Sequence, residues 1–508
     1  MGNGESQARD KRAFRKEHAN IFEGVIFHYE KANNLQISKE LVPAQFKDEA
    51  INVVVRLRPL FDHEEDKGEF PVVQCTYSST SKILPKDNCV IVHKCMSGPD
   101  MKPQTAFIEH VAYPFPNGHV FCEDHTTQDV YSNAVLPLIG YTLNNQSKIE
   151  QRGTIFMYGQ TGTGKTYTIT GVVKLLSSDL FQYLLAAQKS ERSTYSVKVT
   201  CLEMLGDSLY DLNNNHTEVK LLQGSGNVRD INVVGSTEIN INDADGLWKA
   251  YDDAAQLRET HATMINSQSS RSHYIFRISI ERDGKKYARL TLIDLAGSER
   301  NADSMYHDAD RQRESAWINS SLSNLKDVIR TVTLSKSNQQ QHVPYRNSKL
   351  TQLLRDSFEG SGCKTLIIST LSPISTDTEH TMNTLQVMSL LANGDASLDP
   401  VISKTQAGDV FKSTDVGRMK PVAKWTTEEC FAWIETVDKG KFAKYAEEFP
   451  KSVNGAQMFR FPAARFAQIT GDQDVGIAMR KALDQYTEAL NKQKQALAEE
   501  TRSRLKGK

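Results

Sequence analysis

The 508-residue chain lacks several features that would narrow its role at once. It has no C-x-x-C pair. Its seven cysteines, at 75, 89, 95, 122, 201, 363 and 430, are scattered, which argues against a zinc site or a disulfide framework and for a reducing compartment. It has almost no net charge, with 61 Lys and Arg against 62 Asp and Glu, so an anionic partner must be met by a local patch rather than by a global field. No nucleic acid partner is expected. There is no apolar run long enough to span a bilayer and no secretory leader. Met1-Gly2-Asn3-Gly4-Glu5-Ser6 fits the N-myristoylation pattern, with an unmodified start as the alternative. One acyl chain anchors only marginally, and a membrane partner is expected only if Gly2 carries it. A long heptad array is also missing. Leu483, Leu490 and Leu497 lie seven apart, but two heptads rarely hold a dimer.

What is present is a stretch that organises the rest. Gly159-Gln160-Thr161-Gly162-Thr163-Gly164-Lys165-Thr166 matches G-x-x-x-x-G-K-[ST]. It follows a strand-like run, residues 154–158, and precedes a helix-like run, residues 172–176, which is the setting a phosphate loop requires. Its glycines let backbone N–H groups approach phosphate oxygens without Cβ clashes, and the next helix N-terminus adds partial positive charge. Lys165 supplies a compact cation for the terminal phosphates, and the Thr166 hydroxyl can ligand Mg²⁺. The expected fold is α/β: a three-layer phosphate-loop NTPase with a central mixed, mostly parallel sheet, plus a small all-α C-terminal domain.

Around that loop the chain falls into segments. The charged stretch 9–18 reads as a solvated helix or a frayed arm within an N-terminal extension, residues 1–48. Residues 51–56 are β-branched and read as a buried strand running into Arg56-Leu57-Arg58-Pro59. There the proline ring could face a base with arginines at its edge, or the arginines could simply be solvated. Residues 65–125 hold short strand-like pieces, 126–141 a helix, and 142–152 a polar surface loop. Strand-like 195–202 and a helix near 243–255 follow. Asn266-Ser267-Gln268-Ser269-Ser270-Arg271-Ser272-His273 is a Ser-rich loop that, beside an NTP site, offers hydroxyls for Mg²⁺ or the γ-phosphate and a mobile cation, Arg271. It leads into the alternating strand 274–280. The apolar strand Leu290-Thr291-Leu292-Ile293-Asp294 ends in the acid expected on the Mg²⁺ side, and Gly297 beyond it can bring its N–H against a γ-phosphate. Glu299 is then placed to pair with Arg271.

These separated motifs, in this order, resemble the kinesin motor domain over roughly residues 50–393. Further matches are Ile318-Asn319-Ser320-Ser321-Leu322 and Val343-Pro344-Tyr345-Arg346-Asn347-Ser348-Lys349-Leu350-Thr351. The resemblance implies an ATP hydrolase stimulated by microtubules, with ATP and Mg²⁺ as cofactors. It assigns catalytic roles to Lys165, Ser269, Arg271, Gly297 and Glu299. Nucleotide binding would fall to Arg56, Arg58, Pro59, Gly159, Gln160, Thr161, Gly162, Thr163, Gly164, Lys165, Thr166 and Tyr167, with Pro59 and Tyr167 sandwiching the base. Thr166, Ser270 and Asp294 would hold the metal. A tubulin-facing helix, about 319–334, and the loop 335–342 would carry Lys326, Arg330, Lys336, Arg346, Lys349 and Arg355 toward an acidic surface.

Residues 299–303, 308–313 and 354–358 resemble the internal-motor branch that depolymerises microtubules. Two departures bear on that activity. The Lys-Val-Asp finger of that branch is Gly98-Pro99-Asp100 here, and the usual Asn-Lys-Ser-Leu is Asn319-Ser320-Ser321-Leu322. Residues 390–395 do not resemble the neck linker of walking kinesins.

After a motor domain at 49–394 and a linker at 395–421, residues 422–490 resemble a sterile alpha motif (SAM) domain. It has Thr426 or Thr427 as a helix cap and a core drawn from Trp433, Phe442, Tyr445, Phe449, Val453, Met458, Phe459 and Phe466. A charged helix or tail, 491–508, ends the chain. The partners implied are microtubules or tubulin, and a SAM-domain or other protein partner. The location implied is the cytoplasm and cytoskeleton, at a spindle or cilium among others. The competing functions are a motor acting at microtubule ends, a structural microtubule-binding adaptor, and a lattice-translocating kinesin.

Overall fold

The computed structural model describes residues 11–33, 35, 50–76, 88–98, 105–115, 119–144, 149–223, 231–265, 271–298, 309–335, 342–359, 362–393, 399–407 and 421–506. The chain forms two compact units, Met1–Ala407 and Gly408–Lys508.

In the first unit the strands are β1 (Ile51–Leu57), β2 (Val73–Thr76), β3 (Cys89–Met96), β4 (Phe107–Pro114), β5 (Val120–Phe121), β6 (Gln151–Tyr158), β7 (Tyr195–Leu205), β8 (Ser208–Asp211), β9 (Thr217–Gln223), β10 (Ile231–Val234), β11 (Ile239–Ile241), β12 (His273–Arg282), β13 (Lys285–Asp294), β14 (Cys363–Leu371) and β15 (Val401–Gln406). The helices used below are α1 (Ala19–Ala32), α2 (Lys165–Glu191), α3 (Ala244–Ile265), α4 (Ala309–Ser335) and α5 (Thr378–Asn393).

Among the described residues the central sheet runs β10-β9-β8-β7-β12-β13-β6-β14-β1-β5, with β11 on β7. It is mixed, as expected. From β13 through β6, β14 and β1 to β5 the pairing is parallel, and beyond β13 it is antiparallel. The composition explains the split. β1, β6 and β14 are near-continuous buried runs, as strands covered on both faces must be. On one face Ile169, Val172, Val173 and Leu176 of α2 and Tyr251 of α3 pack against Ile155, Met157, Tyr274 and Phe276. On the other, α5 lies over β1 and β14 and touches α4.

One helix, α2, does reach the length and mean apolarity of a membrane span, contrary to the sequence reading. Its apolar face is spent on the sheet core. The helix read at 126–141 begins after its cap, Thr126, whose side chain accepts from Asp129 N, and it contains a π turn at Tyr131–Val135.

Three boundaries need correction. The charged N-terminal stretch, read as a solvated helix or a frayed arm, is helical over 11–17 but not solvated on every face. Residues 11–17 and α1 lie on the first unit with Phe14, Arg15, Phe22, Val25, Ile26 and Tyr29 buried. Charge counting missed this because the apolar stripe recurs at helical spacing beneath the Lys and Arg. The linker read at 395–421 contains β15, which extends the small antiparallel sheet β15-β4-β3-β2, pairing from Val401↔Ala112 to Gln406↔Phe107. The third is at the C-terminus, below.

The small sheet encloses a buried imidazole pair. His93 and His110 meet through their Nδ1 atoms at 2.7 Å. Their outer nitrogens lie 3.0 Å from Gln74 Oε1 and Thr405 Oγ1. The Tyr29 ring stacks on His110 with centroids 3.6 Å apart. Burial, aided by His110, pushes His93 well below the ordinary histidine value, and burial pushes His110 down to about 3. Burial does the same to His273, again to about 3. The unfolded chain therefore binds more protons than the folded one between the ordinary value of 6.5 and about 3. Stability from these groups is complete above 6.5 and falls with pH through that window, by about 1.4 kcal/mol per pH unit for each group. The melting temperature is expected to drop steadily between about pH 6.5 and pH 5, and His110→Gln to flatten that slope, as read by calorimetry across buffers.

The second unit is helical: α6 (Thr427–Thr436), α7 (Gly455–Phe459), α8 (Ala463–Thr470) and α9 (Gln473–Lys506). Thr426 caps α6 in a capping box with Glu429. Trp425, Trp433, Phe442, Phe449, Val453, Met458 and Phe466 form the core, with Tyr445 packed against it. Phe459 is 41% exposed and does not belong to that core, because its neighbour Met458 takes the inward position. Gly455 is needed for close approach: a Cβ there would lie 1.9 Å from Val422 O. Helix α9 runs through the expected boundary at 490 without a break. Its Ala, Leu, Glu, Gln and Lys are strong helix formers, and no Gly or Pro interrupts it between 477 and 505.

All seven cysteines are buried and free.

Candidate nucleotide site

Strand β6 ends at Tyr158, the chain turns through 159–164, and α2 begins at Lys165. The turn depends on glycine in two ways. Gly162 and Gly164 have φ of +81° and +96°, left-handed values that side chains disfavour. Gly159 admits no side chain, since a Cβ would sit 2.5 Å from Thr370 O. Thr163 Oγ1 contacts Thr370 Oγ1 at 2.7 Å and donates to Gln160 O at the same distance, pinning the loop to β14. Buried Lys165 donates from Nζ to Gly159 O at 3.0 Å and Gln160 O at 2.9 Å.

Thr166 and Asp294, expected to share a metal, are side by side. Thr166 Oγ1 donates to Asp294 Oδ2 at 2.7 Å. The carboxylate is 2% exposed, and its Oδ1 has no hydrogen-bond partner among the described residues. A buried carboxylate oxygen left without a donor is costly, and a hydrated cation beside it would satisfy it. Among the described residues no group of three or more His, Cys, Asp and Glu could hold an ion alone. The donor set therefore fits Mg²⁺ carried with a polyphosphate, which Thr166 and, through water, Asp294 would hold.

The loop after β13 lies against the cradle. Gly297 is buried, and Ser298 N donates to Gly159 O at 3.1 Å. His273 bridges from there to α4. Its Nδ1 accepts from Ala296 N at 3.0 Å, and its Nε2 lies 3.2 Å from Ser321 Oγ, which itself donates to Ile318 O. This fixes a neutral imidazole protonated at Nε2, consistent with its depressed pKa.

Arg58 braces the loop and Arg56 the first turn of α2. Arg56 donates from Nη1 to Thr168 Oγ1 at 2.8 Å and lies over the Tyr167 ring. Arg58 donates from Nε to Gly162 O at 2.8 Å and pairs with Glu64 at 2.5 Å. Pro59 is exposed, and Tyr167 is 72% exposed, leaving both free to face a base. Arg271 is half-buried. Ser269, Ser270 and Glu299 lie outside the described residues, and with them the expected Arg271–Glu299 pair; so do Pro99 and Asp100 of the finger and Lys336.

Of the cations expected on the interaction face, Arg330, Arg346 and Lys349 are exposed, and Lys349 Nζ donates to Asp207 O. Two are turned inward. Lys326 is half-buried with Nζ 5.8 Å from the Tyr158 ring, and Arg355 is tied to Glu359 at 2.8 Å and lies over Tyr345. Their long stems are covered by neighbouring apolar surface, which leaves less charge to present.

The profile of the kinesin motor domain matches residues 56–390. The chain belongs to the kinesin motor domain family. This kinesin is 32% identical over 369 residues to diatom spindle kinesin-1 of Cylindrotheca fusiformis, covering 72% of this chain and 54% of that one. It is 34% identical over 385 residues to kinesin-like protein KIN-13B of Arabidopsis thaliana, covering 74% and 52%. With kinesin-like protein KIF24 of Mus musculus the identity is 36% over 345 residues, covering 66% and 23%. The chain thus spans about half the length of the first two relatives and under a quarter of the third. Among solved structures, a KIF14 dimer with AMP-PNP on a microtubule matches with TM-score 0.55 and 25% identity, over 69% of this chain and 94% of that one. A fast kinesin matches with TM-score 0.53 and 27% identity, over 68% and 91%.

Sequence reasoning missed a buried layer beneath the kinesin's metal side. Arg258 of α3 is 3% exposed and donates from Nη1 to Asp294 Oδ2 at 3.4 Å, from Nε to Ser272 Oγ at 2.9 Å and from Nη2 to Ser272 O at 2.7 Å. Glu203 of β7 accepts from Ser272 Oγ, lies 3.7 Å from Arg258 Nε and holds His216 Nε2 at 2.6 Å. One signal was available: Glu203 is a lone acid inside the apolar run Cys201-Leu202-Glu203-Met204-Leu205. Arg258 sits among polar residues on a surface-type helix and offered none.

Proposed function

We propose that this kinesin hydrolyses ATP with Mg²⁺, is stimulated by microtubules, and acts at microtubule ends through depolymerisation or control of their dynamics. The observation that carries the proposal is the hydrogen-bonded path from cradle to α4: Gly159 O to Ser298 N, and Ala296 N through His273 to Ser321. A change at the last phosphate would reach the helix through that path. Lys165 and the loop amides would orient and neutralise the phosphates. Thr166, Ser270 and Asp294 would hold Mg²⁺, which when bound supplies charge stabilisation at the phosphoryl oxygens. Arg271, Ser269, Gly297 and Glu299 would position the attacking water. Arg330, Arg346 and Lys349 are the exposed cations for an acidic tubulin face. The end-acting reading draws on the internal-motor motifs and the similarity to KIN-13B. The helical second unit, whose sequence resembles a SAM domain, would localise or oligomerise the motor.

A microtubule-binding adaptor with weak mechanochemistry is favoured by Gly98-Pro99-Asp100 and by Ser320 in place of lysine. Stabilised microtubules incubated with the protein decide between the two. ATP-dependent release of tubulin, absent with a non-hydrolysable analogue, supports the motor. Co-pelleting insensitive to nucleotide, with no release, supports the adaptor.

A further inference from the structure

Residue Arg15 precedes α1 in the N-terminal segment and is 1% exposed, an expensive position for a guanidinium unless its donors are used. Three of its four hydrogen bonds go to one corner of the chain and the fourth to strand β3. Nε donates to Cys95 O at 2.9 Å, Nη1 to Ser375 O and to Glu379 Oε2, both at 3.0 Å, and Nη2 to Glu379 Oε1 at 2.5 Å. The next residue joins in. Lys16 Nζ pairs with Glu69 Oε1 at 2.7 Å. Glu69 in turn accepts from Ser375 Oγ at 2.9 Å and Thr376 Oγ1 at 2.8 Å. The corner 375–379, a 3-10 turn running into α5, is thus held directly by Arg15 and, through Glu69, by Lys16, two consecutive cations of a segment that the motor motifs do not include.

The other side of that corner holds the phosphate loop. Asp377 Oδ1 accepts from Gln160 Nε2 at 2.9 Å. The single backbone carbonyl of Gln160 accepts from both Lys165 Nζ and Thr163 Oγ1. The route from Arg15 to Lys165 therefore consists of the corner, one side-chain hydrogen bond and the loop backbone. Each link is directional, and the guanidinium forms a bidentate fork that an ammonium cannot copy.

We propose that Arg15 is a positioning residue for the nucleotide site: it fixes the 375–379 corner so that Asp377 holds Gln160 and the phosphate loop in its nucleotide-ready form. The inference rests on the proposed nucleotide-binding function. It gives the N-terminal segment a role in nucleotide affinity, in addition to any contact it makes with a partner.

The test uses the full chain and a fluorescent ADP analogue with Mg²⁺. Wild-type binding is read first, and its absence would overturn the proposed function itself. Given binding, Arg15→Ala is expected to speed analogue release by about five- to tenfold and to raise the KM for ATP by a similar factor, with kcat changed less than about twofold. Asp377→Ala is expected to do the same, and the double variant to be no worse than Asp377→Ala alone, because both act through one link. Arg15→Lys, which keeps charge and fold but not the fork, is expected to recover under half of the affinity loss. The exchange Arg15→Glu with Glu379→Arg is expected to recover more than Arg15→Glu alone. Unchanged release and KM in Arg15→Lys and Arg15→Ala would overturn the inference. So would additive effects of Arg15→Ala and Asp377→Ala, or full recovery by Arg15→Lys.

Discussion

Lys165→Ala is expected to lower kcat/KM for ATP by at least about a hundredfold, equivalent to ~3 kcal/mol of transition-state stabilisation. The reason is the position of its Nζ, held by the carbonyls of Gly159 and Gln160 at the floor of the cradle. An ammonium there is pre-paid: it is already dehydrated, and exchanging two carbonyls for a phosphate oxygen gains charge complementarity without ordering a side chain. Lys165→Arg is not expected to rescue, because the planar fork is wider than the space between two carbonyls of a glycine turn. The assay is steady-state hydrolysis with and without microtubules. Tubulin release at the wild-type rate by Lys165→Ala would refute an ATP-coupled mechanism.

Arg258→Ala carries the second large effect, and it is on folding. The guanidinium separates two buried acids, Glu203 and Asp294, which are 4% and 2% exposed. Removing it leaves both without their cation and strips Ser272 of two donors. Breaking a buried ion pair from one side costs about 3–5 kcal/mol, far more than the net worth of the pair itself. Chemical denaturation is expected to show that loss. Arg258→Ala combined with Glu203→Gln is expected to lose less than Arg258→Ala alone, because one of the stranded charges is gone. If the single variant unfolds at the wild-type denaturant concentration, the burial described for this cluster is wrong.

The parts of this chain that were legible from sequence are those in which one residue type is dictated by one local geometry. The phosphate loop was readable because two glycines, a lysine and a threonine must occur at fixed offsets, and β1 and β6 because strands covered on both faces carry near-continuous apolar runs, whereas β14 went unread. The cap at Thr426 was readable for the same reason. What stayed hidden depends on contacts between distant segments. Arg15 looked solvated because its partners, Cys95, Ser375 and Glu379, lie 80 to 364 residues away. Strand β15 looked like linker because its burial alternates weakly and its partner β4 is nearly 300 positions upstream. Arg56 and Arg58 were read either at the edge of a base or as solvated, and neither reading foresaw their bonds to Thr168, Gly162 and Glu64. Arginine in a nucleotide domain carries no label saying which side of the loop it serves.

The burial of the native thiols has a practical consequence for observing this motor at work. Thiolate reactivity requires both access and an accessible pKa, and Cys89 and Cys201 are pushed to about 12 and Cys430 to about 11 by burial. A single cysteine introduced on an exposed surface would outcompete all seven natural ones for a maleimide dye. Fluorophores, spin labels or surface tethers could then be placed one at a time without first building a cysteine-free background.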